Sequence, residues 1–171
     1  MLAWTAACRL ALTLFLAVGD VSGGMSISSP EFAQGQPMPA KYAMRSGDKS
    51  PQLLIGSVPV NATTLVLIVD DPDAPAGLWT HWLLWNIAAH QAVIDEGKVP
   101  EGAIQGTNSF GNARYDGPAP PSGTHRYFFH IYALDSNLTI DPGAPRDQVD
   151  AAMKGHVIGH AEFYGTYAAK P

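Results

Sequence analysis

Cysteine is almost missing from this sequence: Cys8 is the only one among 171 residues. Positive charge is also sparse, with 10 Lys and Arg against 15 Asp and Glu and a net charge of -5. The basic residues form no run. Without a basic patch the chain has no footprint for a phosphate backbone or an anionic membrane, which argues against nucleic acid as a partner. Catalytic signatures are missing too. There is no GxSxG elbow, no P-loop and no HExxH histidine pair, so serine hydrolase, nucleotide hydrolase and zinc peptidase chemistry lack sequence support.

What is present begins at the N-terminus. Arg9 precedes the apolar stretch LALTLFLAV at 10–18, and small residues follow in GDVSGG. Charge, then an apolar run, then small residues is the order of a signal peptide, with cleavage expected after Gly19 or Gly23. Residues 1–23 are therefore expected to be a signal peptide and 24–171 a single domain, exported to the periplasm or the exterior. The run falls short of the roughly 20 residues that span a bilayer, which disfavours an uncleaved anchor. Cleavage would remove Cys8, and with it any disulfide, thiol nucleophile or Cys–metal site. The remaining chain must hold itself by packing, and its length is sufficient for that.

Fourteen Pro and 17 Gly favour a turn-rich, mainly β architecture over a helix bundle. TTLVLIVDD at 63–71 is a β-branched and leucine run that stops at Pro72, and it reads as a buried strand. HWLLWNIAA at 81–89 and the aromatic-rich HRYFFHIYAL at 125–134 read as strands. VIGHAEFYGTY at 157–167 reads as a closing strand. APRDQVDAAMKGH at 144–156 is the one helix candidate, with Pro145 and Asp147 at its start and Lys154 and Gly155 at its end. The segment 101–123 is long and irregular, so it is expected to be functional or tied down at several points.

The chemistry concentrates in DDPDAPAGLWTHW at 70–82 and in PPSGTHRY at 120–127. Strict alternation puts His125, Tyr127, Phe129 and Ile131 on one face of their strand and Arg126, Phe128, His130 and Tyr132 on the other. It puts His81 with Leu83, Trp85 and Ile87, at the opening of its strand. Asp71 and Asp73 lie where a strand gives way to a loop, a position where rigid sheets commonly carry sites. Aspartate beside histidine favours the imidazolium, so a raised histidine pKa is expected. Imidazole N–H and tyrosine O–H donors gathered in a small concavity suit an oxyanion. By themselves, an Asp–Pro–Asp turn or a lone histidine is more often structural. Trp79, Trp82, Trp85, Phe128 and Phe129 read as core, and the pair His156 and His160 reads as non-functional.

DDPDAP, THWLLWNI and PPSGTHRYFFHIYAL resemble the two signature regions of the phosphatidylethanolamine-binding protein family, also known as Raf kinase inhibitor proteins, in its compact bacterial branch. The resemblance runs from about Ile27 to Tyr167. It implies an antiparallel β-sandwich with few short helices and a small anion pocket at one end. By matching position it implies ligand-binding roles for Asp71, Asp73, Pro75, His81, Pro121, His125 and Tyr127, with Trp79 and Arg126 in support. It also implies a cis peptide bond between Ala74 and Pro75. The chain departs from common bacterial members at Ala119, at AMRSGD and at Ser109, where cysteine, a Cys-Asp-Gly run and aspartate are frequent.

The expected function is that of a non-enzymatic binding protein for a small anionic or phosphorylated ligand, without cofactor or metal. Its affinity is expected to fall as pH rises and both histidines lose charge. Two other classes compete with this reading: a regulator of a kinase or protease partner, and a hydrolase that uses the Asp and His cluster. A protein partner and a homodimer remain open.

Overall fold

The computed structural model describes residues 24–169, so the expected signal peptide and Cys8 lie outside the described residues. In chain order the strands are β1 (Ser26–Ser28), β2 (Leu53–Gly56), β3 (Thr64–Asp71), β4 (Trp79–Ala88), β5 (Val93–Ile94), β6 (Ile104–Thr107), β7 (Thr124–Leu134), β8 (Gly143–Pro145) and β9 (Val157–Ala168). One α-helix, α1 (Arg146–Met153), and a single 3-10 turn at Ala40–Tyr42 complete the elements among the described residues. No described helix is long and apolar enough to cross a membrane.

The strands form two sheets, β1-β2-β5 and β8-β6-β4-β3-β7-β9. Pairing is antiparallel except between β6 and β8, which run parallel. The continuous apolar run of β3 is explained by burial on both faces. Leu65, Leu67 and Val69 join a core that continues through Phe129 and Phe163 to Ile27, Leu53 and Ile55 of the small sheet. Val66 and Ile68 join a second core closed by Val149 and Met153 of α1. Helix and sheet are also tied by charge: Arg146 donates to buried Asp70 at 2.6 Å.

Alternation holds along β7, where Tyr127, Phe129, Ile131 and Ala133 enter the first core. It fails along β4, which begins at Trp79, so His81 does not open its strand. The β3–β4 register slips twice. Leu65 pairs with Ile87 but Leu67 pairs with Leu84, and Val69 pairs with Trp82 but Asp70 pairs with Thr80. Each slip inserts one extra β4 residue, and a bulge of this kind re-aims the side chains around it. The first sits beside Asn86 (φ 55°), whose amide exchanges two hydrogen bonds with the Leu138 backbone. It moves Ile87 to the face of Trp82 and Leu84, away from Trp85. The second leaves His81 as the extra residue, off the face of Leu83.

Candidate functional site

The site lies at one end of the large sheet, where β3 and β4 leave their core and β7 begins. Asp71 and Trp79 are a cross-strand pair, so they share a face. The bulge turns His81 to that face, where its ring meets Tyr127 edge-on at 5.1 Å and Phe110 at 5.3 Å. The result is a cavity of about 210 Å³. Asp71, Pro75, Trp79, His81, Pro121, His125 and Tyr127 all line it, together with Ala74, Ala76, Phe110, Ala119 and Pro120. The sequence reading missed those five additions. Phe110 left a faint signal, an aromatic in an otherwise small and polar loop.

Two of the expected site residues stay outside this lining. Asp73 turns to the strand beside it, accepting from Arg126 Nε at 2.9 Å, from Arg126 Nη2 at 2.7 Å and from the Arg126 backbone N–H at 2.9 Å. The guanidinium holds the Asp73 carboxyl down at about 2. The pair clamps the 72–78 loop to β7. The peptide bond between Ala74 and Pro75 is trans, against expectation, as there is no cis peptide among the described residues. The loop reverses by other means. Asp71 Oδ1 accepts from the Asp73 N–H at 2.8 Å, the Ala74 carbonyl accepts from the Gly77 N–H at 3.0 Å, and Gly77 takes φ 96°. Asx turns and glycine together supply the bend.

The opposite wall is pinned by the irregular segment. Asn108 donates to Asp116 Oδ2 at 2.7 Å and accepts from the N–H groups of Phe110 and Asn112. Asp116 is fully buried, and Asn112 also donates to it. Gly117 follows, packed so closely that a Cβ would stand 1.9 Å from the Tyr42 carbonyl oxygen. These ties hold 118–121 as a proline-rich wall without regular structure of its own.

Hydrogen bonds fix both imidazoles. His81 Nδ1 donates to the Asp116 carbonyl at 2.6 Å, since a carbonyl can only accept. His125 Nδ1 donates to Asp71 Oδ2 at 2.7 Å. Each ring therefore keeps Nε2 free. Burial lowers the His81 pKa, outweighing the carboxylates of Asp71, Asp70 and Asp116 that act to raise it. The expected upward shift is thus reversed at His81, which sits as a neutral ring with an acceptor lone pair on Nε2. Burial pushes the Tyr127 hydroxyl well above its usual range, so it stays a donor. The Trp79 indole N–H is buried with no hydrogen-bond partner, and the Tyr127 hydroxyl, although Asp71 and the Ala119 backbone are close enough to act on it, makes no well-directed hydrogen bond. An unpaired buried donor costs about 1–3 kcal/mol, and two of them in residues around one cavity favour an occupant that accepts from them.

The sequence model of phosphatidylethanolamine-binding proteins matches residues 28–168. The chain belongs to the phosphatidylethanolamine-binding protein family. Within it, the chain is 43% identical over 148 residues to a UPF0098 protein of Methanothermobacter thermautotrophicus, covering 84% of this chain and 98% of that one. It is 42% identical over 173 residues to a UPF0098 protein of Pyrococcus horikoshii, covering 94% and 87%. Among solved structures, a phosphatidylethanolamine-binding protein homologue of Chlamydia trachomatis aligns with TM-score 0.83 at 40% identity, covering 87% of this chain and all of that one. Escherichia coli YbcL, described as a member of the mammalian family, aligns with TM-score 0.80 at 29% identity, covering 85% and 99%. Mainly β architecture in two sheets is thus common ground between this chain and its family.

Proposed function

We propose that this member of the family is an exported, non-enzymatic binding protein whose cavity takes a small phosphorylated or carboxylate ligand. The observation that carries the reading is the convergence of His81, His125 and Tyr127 with Asp71 on one cavity, where His125 is fixed through Nδ1 and keeps Nε2 for a ligand. An oxyanion offers acceptors to the donors these residues carry. Arginines offset three of the nearby carboxylates. Asp70 pairs with Arg146, Asp73 with Arg126 and Asp116 with Arg114. Asp71 is occupied by its hydrogen bond with His125. Neutral His81 presents an acceptor, so the best ligand also donates one O–H or N–H. Hydrogen phosphate and a monoprotonated phosphomonoester such as phosphoethanolamine have both features.

Absence of enzymatic activity is part of the proposal. Among the lining residues there is no serine, threonine, lysine or cysteine to act as a nucleophile. The Tyr127 phenol is held protonated, so it is no nucleophile either. Export rests on Arg9 and the 10–18 stretch. Its check is N-terminal sequencing of protein recovered from the native host: mature ends at Asp20 or Gly24 support it, and an intact Met1 contradicts it.

Calorimetric titration of phosphoethanolamine and of inorganic phosphate tests the binding. His125→Ala removes a charge-assisted hydrogen bond and should weaken affinity about tenfold to a hundredfold. His156→Ala should leave affinity unchanged, because His156 binds Asp135 away from the cavity. Equal affinity in wild type and His125→Ala would exclude the cavity as the anion site.

A further inference from the structure

The face of β7 and β9 that turns away from the first core carries a second group of donors. The antiparallel register sets His130 opposite Glu162 and Tyr132 opposite His160. His160 and Glu162 are two residues apart on one strand, so they emerge on the same side. The rings of His130 and His160 stack at 5.7 Å with an interplanar angle of 19°. One ligand atom from each of His130, His160 and Glu162 lies within 4.8 Å of the other two. His156, four residues from His160 in the sequence, is occupied by Asp135 instead. The histidine that matters to His160 is its cross-strand neighbour, which no local spacing discloses.

His130 Nδ1 approaches Glu162 Oε2 at 3.3 Å, yet it is buried without a properly directed hydrogen bond. Its ring is set between stacks with Phe128 at 5.8 Å and Tyr132 at 6.3 Å. His130 is thus a held ring whose nitrogen lacks a well-directed partner, while Glu162 and His160 are exposed, His160 resting on the Tyr132 ring at 4.5 Å.

We propose that His130, His160 and Glu162 form a surface binding site for a divalent transition-metal ion of the zinc and copper class. Two imidazoles and one carboxylate favour such ions over calcium or magnesium, which prefer all-oxygen sites. Bonds of about 2.0–2.1 Å in tetrahedral geometry place ligand atoms roughly 3.3 Å apart. Side-chain rotation of the two exposed ligands covers the remaining distance. Three protein ligands leave further positions for water. The site and the cavity lie on opposite faces of the large sheet, because His125 and Tyr127 have the opposite parity to His130. They can therefore be tested apart.

The test is calorimetric titration of Zn²⁺ into the metal-stripped chain, purified without a polyhistidine tag, as wild type, His160→Ala, Glu162→Gln and His125→Ala. Partners that only touch a ligand are worth about 10–100-fold in metal affinity, so loss of a direct ligand should weaken binding by more than about 100-fold. We expect one equivalent of tight binding in wild type and in His125→Ala, and its loss in His160→Ala. Glu162→Gln should weaken it as well. His160 is exposed, so the fold should survive its replacement; unchanged far-ultraviolet circular dichroism checks this. Cu²⁺ loaded into wild type should show coupling to two nitrogens by electron paramagnetic resonance. Absence of Zn²⁺ binding in wild type, equal affinity in His160→Ala, or loss in His125→Ala would each overturn the proposal.

Discussion

His81 governs how the cavity is aimed. Its strand would turn it toward the α1 side of the sheet, and one extra residue in the β3–β4 ladder turns it inward. Burial then fixes its charge state as neutral. This has a consequence for stability. In the unfolded chain the ring titrates near its ordinary value of about 6.5, and in the native state below it. Between those two values the unfolded chain binds a proton that the native protein does not. Stability is therefore fully present above about pH 6.5 and declines as pH falls below it. His81→Asn keeps an N–H for the Asp116 carbonyl and removes the titration. Urea unfolding from neutral to mildly acidic pH should show a shallower loss in the variant than in wild type. Equal slopes would mean that His81 is not held neutral by burial.

At the scale of elements, the cavity is two strand ends facing a wall of irregular backbone. That wall depends on Gly117, where a Cβ would meet the Tyr42 carbonyl oxygen, a backbone atom without freedom to rotate away. Gly117→Ala should destabilise the protein by roughly 1–3 kcal/mol through overpacking. Because the proline wall would shift, it should also weaken phosphate binding. A urea midpoint equal to wild type would contradict this account of the wall. The four strong strands were legible in the sequence because apolar and aromatic runs mark them, and α1 because Pro145 and Asp147 mark its start. The face of His81 was not, since a bulge carries no periodic signal; a polar Asn86 amid apolar residues is the only local sign of the other slip. The wall was legible only as a long loop in need of a purpose. Asp73 looked like a site residue because it shares the Asp–Pro–Asp motif with Asp71. Its partner, Arg126, lies 53 positions away in sequence, a distance that composition cannot bridge.

At the scale of the molecule, one sheet serves two faces. Its first face builds a core with the small sheet and ends in the cavity; its second packs on α1 and, beyond the helix, presents the histidine and glutamate group. Arginines partner Asp70, Asp73 and Asp116 near the cavity, and Asp71, which lines it, is hydrogen-bonded to His125, so the local field does not simply follow the net charge of -5. In the proposed function this acidic chain nevertheless holds an anion in the cavity, beside His125 and Tyr127. The most direct test of that claim is a crystal structure grown in inorganic phosphate. The account predicts tetrahedral density inside the cavity, with oxygens at roughly 2.5–3.2 Å from Tyr127 Oη and His125 Nε2. Density for water alone in the cavity, with phosphate bound only elsewhere on the surface, would contradict it.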